Sequence, residues 1–134
     1  MPVLRELIDR WRRADAAERE RLVLEDPSWS LLARDVEWRV DMFDWQEVHR
    51  GWEGVVEFWA RFLESWETFN YEVEEYRDLG DGAVLTTTHA RMRGREGIPV
   101  KWRAFTLHRV RDGLIVSWQI FASAEEALRA VTHH

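Results

Sequence analysis

Histidine is the side chain whose proton comes and goes near neutral pH, so the chemistry of this 134-residue chain is sought first among its five histidines. His108 follows Thr106 by two residues in the run IPVKWRAFTLHRVR, and the period of a strand puts both on one face. His108 is therefore a candidate general acid or base, weighed against a wall residue hydrogen-bonded to Ser117 or to water. His89 is a second candidate, provided its strand turns it inward. If residues 94–97 form a four-residue loop, His89 faces Trp102; a loop one residue longer or shorter turns Thr86 and Thr88 inward instead. His49 falls with Asp41 and Asp44 in a stretch that has neither helical nor strand period and reads as a loop at one mouth of the fold. His133 and His134 are set aside as the kind of residue an expression tag leaves. These histidines lack metal-ligand spacing and no cysteine accompanies them, so no metal and no other cofactor is expected.

The stretch 98–122 must position these groups. It reads as two strands around Asp112-Gly113, a dipeptide suited to the two positive φ angles of a type I′ turn. A two-residue turn sets His108 opposite Ser117, Thr106 opposite Gln119 and Ala104 opposite Phe121, and opposed residues share a face. The face holding Trp102, Thr106, His108, Ser117, Gln119 and Phe121 mixes apolar and hydrogen-bonding groups, as a pocket wall does. The other face carries Phe105, Leu107, Val116, Trp118 and Ile120 inside a rim of Lys101, Arg103 and Arg109. It reads as the contact patch of a homodimer. A hairpin apolar on both faces needs cover on both, so helices are expected on one side and a second subunit or more sheet on the other.

Leu4, Leu7, Ile8 and Trp11 recur at helical spacing, and Asp15 with Glu18 forms a capping box that restarts a second helix. Asp26-Pro27 opens a further turn carrying Trp29, Leu31 and Leu32. Val36, Trp38 and Val40 alternate with charged residues as a half-buried strand. Residues 52–67 form the most persuasive helix, with Trp52, Val55, Val56, Trp59, Phe62 and Leu63 on one broad stripe that should lie across the sheet. Strands follow at 69–77 and 83–93, joined by Gly80-Asp81-Gly82, and Ser123 with Glu126 caps a last helix. Glu72, Glu74 and Glu75 read as a solvated strand face paired to Arg91 or Arg93. The order predicts one α+β domain over residues 1–132, with helices segregated on one face of a mostly antiparallel sheet.

A formal charge of -6 argues against a nucleic-acid surface. No apolar run reaches the length of a membrane span, and the charged amino terminus does not read as a signal peptide, so a cytoplasmic protein is expected. Nine tryptophans fit either a filled aromatic core or an aromatic-lined cavity.

Three stretches carry a resemblance: DVEWRVD at 35–41, RGWEGVVEFWARFLESWE at 50–67 and VRDGLIVSWQIFASAEEAL at 110–128. Together they resemble the nuclear-transport-factor-2-like superfamily, and within it the SnoaL-like, polyketide cyclase-like group, over nearly the whole chain. The resemblance implies a cone-shaped, cystatin-like α+β barrel, a curved sheet wrapped by about three helices, a dimer, and a mostly apolar cavity. In polyketide cyclases of this kind a histidine and an acid occupy the places of Thr106 and Gln119, neither of which titrates near neutral pH. The ketosteroid isomerase groups would fall on Leu7, Val40 and Thr106, with Asp41 a substitute if the strand slips by one. The Arg-x-Asp of limonene-type epoxide hydrolases meets Arg103-Ala104-Phe105.

The chain is accordingly expected to bind a small, largely apolar organic ligand, polyketide-, steroid- or terpene-like, among Trp38, Val40, Trp59, Trp102, Thr106, Ser117, Gln119 and Phe121. Two alternatives stand beside this: a cyclase- or isomerase-type enzyme using His108, with or without His89, and a noncatalytic dimer whose tryptophans fill the core.

Overall fold

The computed structural model describes residues 2–26, 29–42 and 45–132; the expectations for Pro27, Asp44, His133 and His134, and for the packing of Leu4, lie outside the described residues. Helices α1 (Pro2–Arg13) and α2 (Ala16–Glu25) come first, followed by a single 3-10 turn at Trp29–Leu31. Strands β1 (Leu32–Met42) and β2 (Trp45–Arg50) precede α3 (Gly51–Glu64), and β3 (Trp66–Gly80), β4 (Ala83–Gly94), β5 (Pro99–Arg111) and β6 (Leu114–Phe121) lead to α4 (Ala124–Thr132). The six strands form one curved sheet in the order β2-β1-β6-β5-β4-β3. Among the described strands β1 and β6 pair in parallel and the other neighbours pair antiparallel.

Local chemistry sets the element ends. The Asp15 carboxylate accepts the Glu18 N–H at 2.9 Å at the start of α2, and the Ser123 hydroxyl accepts the Glu126 N–H at 3.2 Å in α4. Asp26 accepts the Trp29 N–H at 2.8 Å and so caps the 3-10 turn. Asp112 and Gly113 have φ of 53° and 78°, the pair of positive values a type I′ turn requires. At the neighbouring turn the Val110 N–H donates to the Gly82 carbonyl at 2.7 Å, an approach so close that a Cβ on Gly82 would collide with the Val110 carbonyl oxygen.

α3 lies across the concave face of the sheet. It buries Trp52, Val55, Val56, Phe58, Ala60 and Leu63, the larger of these each stabilising the fold by roughly 1.5–3 kcal/mol. The Trp52 indole N–H donates to the Leu32 carbonyl at 3.1 Å, tying the start of α3 to β1. On the convex face α4 covers only one end of the sheet, setting Ala127 against Leu85, Leu107 and Phe121.

Three sequence expectations change. Residues 45–50 form β2 rather than a loop; their alternation is of burial, not hydropathy, because the inward places hold Trp45, Glu47 and His49. The last β4–β5 pair is Arg93 with Pro99, so five residues rather than four, 94–98, separate the paired ends, and Thr86 pairs with Thr106 and Ala90 with Trp102. Most consequentially, the turn register holds only for Arg111–Leu114 and Val110–Ile115, after which β6 bulges at Val116 and Arg109 pairs with Ser117, His108 with Trp118 and Thr106 with Ile120. The extra residue exchanges the faces of the rest of β6. Trp118 and Ile120 turn to the concave side, and Ser117, Gln119 and Phe121 to the convex side. The gain is burial of an indole and a branched alkyl chain where the unbulged register would put a hydroxyl and a carboxamide.

The expected dimer patch therefore does not exist as a single face. Trp118 and Ile120 face the concave side, Leu107 is buried beneath α4, and only Phe105 and Val116 remain half-buried. Glu74 pairs with Arg103, at 3.2 Å, rather than with Arg91 or Arg93.

Candidate functional site: an aromatic cavity

Between α3 and the concave sheet lies a cavity of about 520 Å³. Six of the nine tryptophans, Trp29, Trp38, Trp45, Trp59, Trp102 and Trp118, line this hollow, while Trp11 and Trp52 are packed in the core. α3 contributes Phe58, Trp59 and Phe62; Trp38 stands on β1, Trp45 on β2 and Trp102 on β5. Trp38 stacks on Trp118 with centroids 3.3 Å apart and planes 10° from parallel, a contact created by the bulge and by the parallel β1–β6 pairing that sets the two residues side by side. Trp59 meets Trp38 edge-on at 6.1 Å, and Trp102 meets Trp45 edge-on at 6.2 Å, arrangements that suit the ring quadrupoles. The indole N–H groups of Trp38 and Trp102 are buried with no acceptor among the described residues.

Against these rings, the polar lining gathers on β4 and β5. Thr86 and Thr106 are directly opposed and both buried, at 6% and 4% exposure. Thr86 Oγ1 lies 3.1 Å from His108 Nε2, and the tautomer of the imidazole decides which of the two donates. His108 also meets the Trp118 ring edge-on at 6.4 Å. Burial pushes the His108 imidazole down from 6.5 to about 4, because a charged ring there would lose its hydration without an anion to replace it. At pH 7 it is a neutral hydrogen-bonding group and a weak base.

Of the residues singled out from the sequence, Trp38, Trp59, Trp102, Thr106 and His108 come together around the cavity. Val40 is buried in the core without reaching the lining. Ser117, Gln119 and Phe121 are on the other side of the sheet, so the Thr106–Gln119 pair at the place of the cyclase acid and base is split across its two faces. His89 is convex as well, paired opposite Arg103, with Nδ1 3.9 Å from Glu74 Oε1. Arg103 points the same way, so its guanidinium is not offered to the cavity. Asp41 alternates outward from Val40 and Met42 and accepts from the Gln46 amide at 3.3 Å. His49 packs edge-on against Phe58 with Glu47 and Arg61 within 3.4 Å of its Nε2, away from the cavity lining.

Thr86, Trp45, Phe58 and Trp118 were missed as lining residues. For Thr86 the signal was present, since it is inward in the longer-loop alternative. For Trp118 it lay in the pattern LIVSWQIF itself: Trp118 and Ile120 are the large apolar pair, and a bulge is what brings them to the buried side.

No curated protein matches this chain. Solved structures do, and three of them show the range of likeness at low identity. An NTF2-like protein of unknown function from Burkholderia pseudomallei is 18% identical, with 98% of this chain and 96% of that one covered and a TM-score of 0.62. TerC co-crystallised with polyporic acid is 16% identical over 96% and 93%, with a TM-score of 0.64. A protein of unknown function with a cystatin-like fold from Xanthomonas campestris is 21% identical over 92% of each chain, with a TM-score of 0.61. These likenesses establish a cystatin-like, NTF2-like α+β fold. The SnoaL-like domain model matches residues 4–118, which take in α1 to α3 and nearly all of the sheet, and the chain belongs to the SnoaL-like domain family.

Proposed function

We propose that this protein encloses a small, largely apolar organic molecule, of polyketide, steroid or terpene type, and orients it by hydrogen bonds from Thr86, Thr106 and His108. The observation that carries this reading is the division of the lining: about 520 Å³ walled by aromatic rings, with Thr86, Thr106 and His108 brought together on two adjacent strands. A preformed apolar cup with a few convergent polar groups is the usual form of a small-molecule site. TerC, of similar fold, was co-crystallised with polyporic acid, an example of this fold accompanied by an organic ligand.

The test is a thermal-shift panel of polyketides, steroids and terpenes. A ligand at a hundred times its Kd stabilises the folded state by about 2.7 kcal/mol, and it should also change the emission of the cavity tryptophans. No shift with any class at high concentration would remove the reading.

A second reading has one observation in its favour: His108, the histidine of the lining, could serve as general base in a cyclase- or isomerase-type reaction. Its low basicity restricts it to substrates with an acidified C–H or O–H. His108→Ala should then abolish turnover while leaving ligand binding measurable, and turnover that survives excludes the histidine. His89, on the convex face, has no part in either reading.

A further inference from the structure

The cavity lining is as notable for its charges as for its rings. Among the described lining residues there is no lysine and no arginine. Among the described residues the titratable side chains that face the hollow are Asp26, Tyr71, Tyr76 and His108. Asp26 carries negative charge and is engaged with the Trp29 N–H at 2.8 Å. Tyr76 is 73% exposed and Tyr71 49%, which leaves His108 as the interior group. The cations nearest in sequence to the polar strands do not help an anion, because Arg103 and Arg109 sit on the convex face, where Arg103 is held by Glu74 and Arg109 donates to the Ala130 carbonyl at 3.4 Å. The net charge of -6 opposes anions over the molecule as a whole.

Resting on the reading of the cavity as a ligand site, we infer that it accepts its ligand only with the buried polar group uncharged, a carbonyl, hydroxyl or carboxamide, and rejects the carboxylate, sulfonate or phosphate counterpart. The Thr86–His108 pair is the specificity-determining contact. A threonine hydroxyl bonded to a neutral imidazole presents one donor or one acceptor to a ligand by a change of tautomer, so it reads a neutral group of either sense. It has no positive charge with which to replace the hydration an anion gives up.

The experiment uses three molecules of one shape: naphthalene, 2-naphthamide and 2-naphthoate, titrated calorimetrically into the intact protein at pH 7. The expected order is amide over hydrocarbon, with the carboxylate weaker than the amide by about a hundredfold or more. Thr86→Val, which keeps the side-chain shape, and His108→Phe should each lower amide affinity about tenfold, the worth of one buried hydrogen bond, and leave naphthalene within about twofold. Naphthoate binding as tightly as naphthamide overturns the charge selection and leaves the cavity reading standing. Equal losses for amide and hydrocarbon in both variants overturn the role given to the pair. Failure of all three molecules to bind overturns the cavity reading and this inference with it.

Discussion

His108 carries a cost that can be measured without knowing any ligand. Its imidazole is held near 4 in the folded protein by burial, whereas in the unfolded chain it titrates at about 6.5. Between those values the unfolded state binds a proton that the folded state refuses, so stability rises with pH across that window. The contribution is complete above about pH 6.5 and lost as pH falls to about 4, roughly 3 kcal/mol in all. His108→Gln should flatten the dependence of urea-unfolding free energy on pH between those limits, and a variant as acid-sensitive as the parent would show that another group is responsible. The same residue marks what was legible at this scale. His108 and Thr106 could be placed inward because two residues of separation on one strand share a face whatever the partner strand does. Gln119 and Ser117 could not be placed, because their facing depends on a register set across the turn. Thr86 depended on the length of a different loop.

Two elements decide the site, and each departs from its local pattern. β2 hides its strand character because its inward row continues from Trp45 into Glu47 and His49, which are half-buried beside Arg61 of α3; charge pairing with a helix takes the place of apolar burial there. β6 begins in register with its turn and then bulges, since turn geometry fixes the first pairs while burial governs the rest. This makes a prediction about adjacent residues. Trp118→Ala should cost about 2–3 kcal/mol, through lost partial burial and the lost stack on Trp38, whereas Gln119→Ala on the convex face should stay within about 0.5 kcal/mol. Chemical denaturation of the two variants gives the answer. The reverse order would mean that the unbulged register is the one adopted in solution. The helices, the two glycine-containing turns and the capping boxes followed from the sequence because each is decided by residues a few places apart.

For the molecule as a whole, the concave side is closed by its own helix and the convex side only in part. α4 shields Leu85, Leu107 and Phe121, and beyond it the sheet presents ion pairs, Glu74 with Arg103 and Glu37 with Arg39 and Arg50. The free edge of β3, 15 residues long, carries Glu72, Glu74 and Glu75, and like charges brought together from two copies would resist edge-to-edge pairing. We propose that the second copy implied by the family resemblance sits on the convex face, with half-buried Phe105 against charged ground instead of the continuous apolar stripe expected from the unbulged register. Contacts of this composition are screened by salt. Sedimentation velocity should find a dimer at low ionic strength that shifts toward monomer as salt is raised, and Arg103→Glu should weaken it further while Trp118→Phe, inside the cavity, should not. A dimer indifferent to both salt and Arg103 would move the interface to another surface, and a monomer at every salt concentration would remove the second copy altogether.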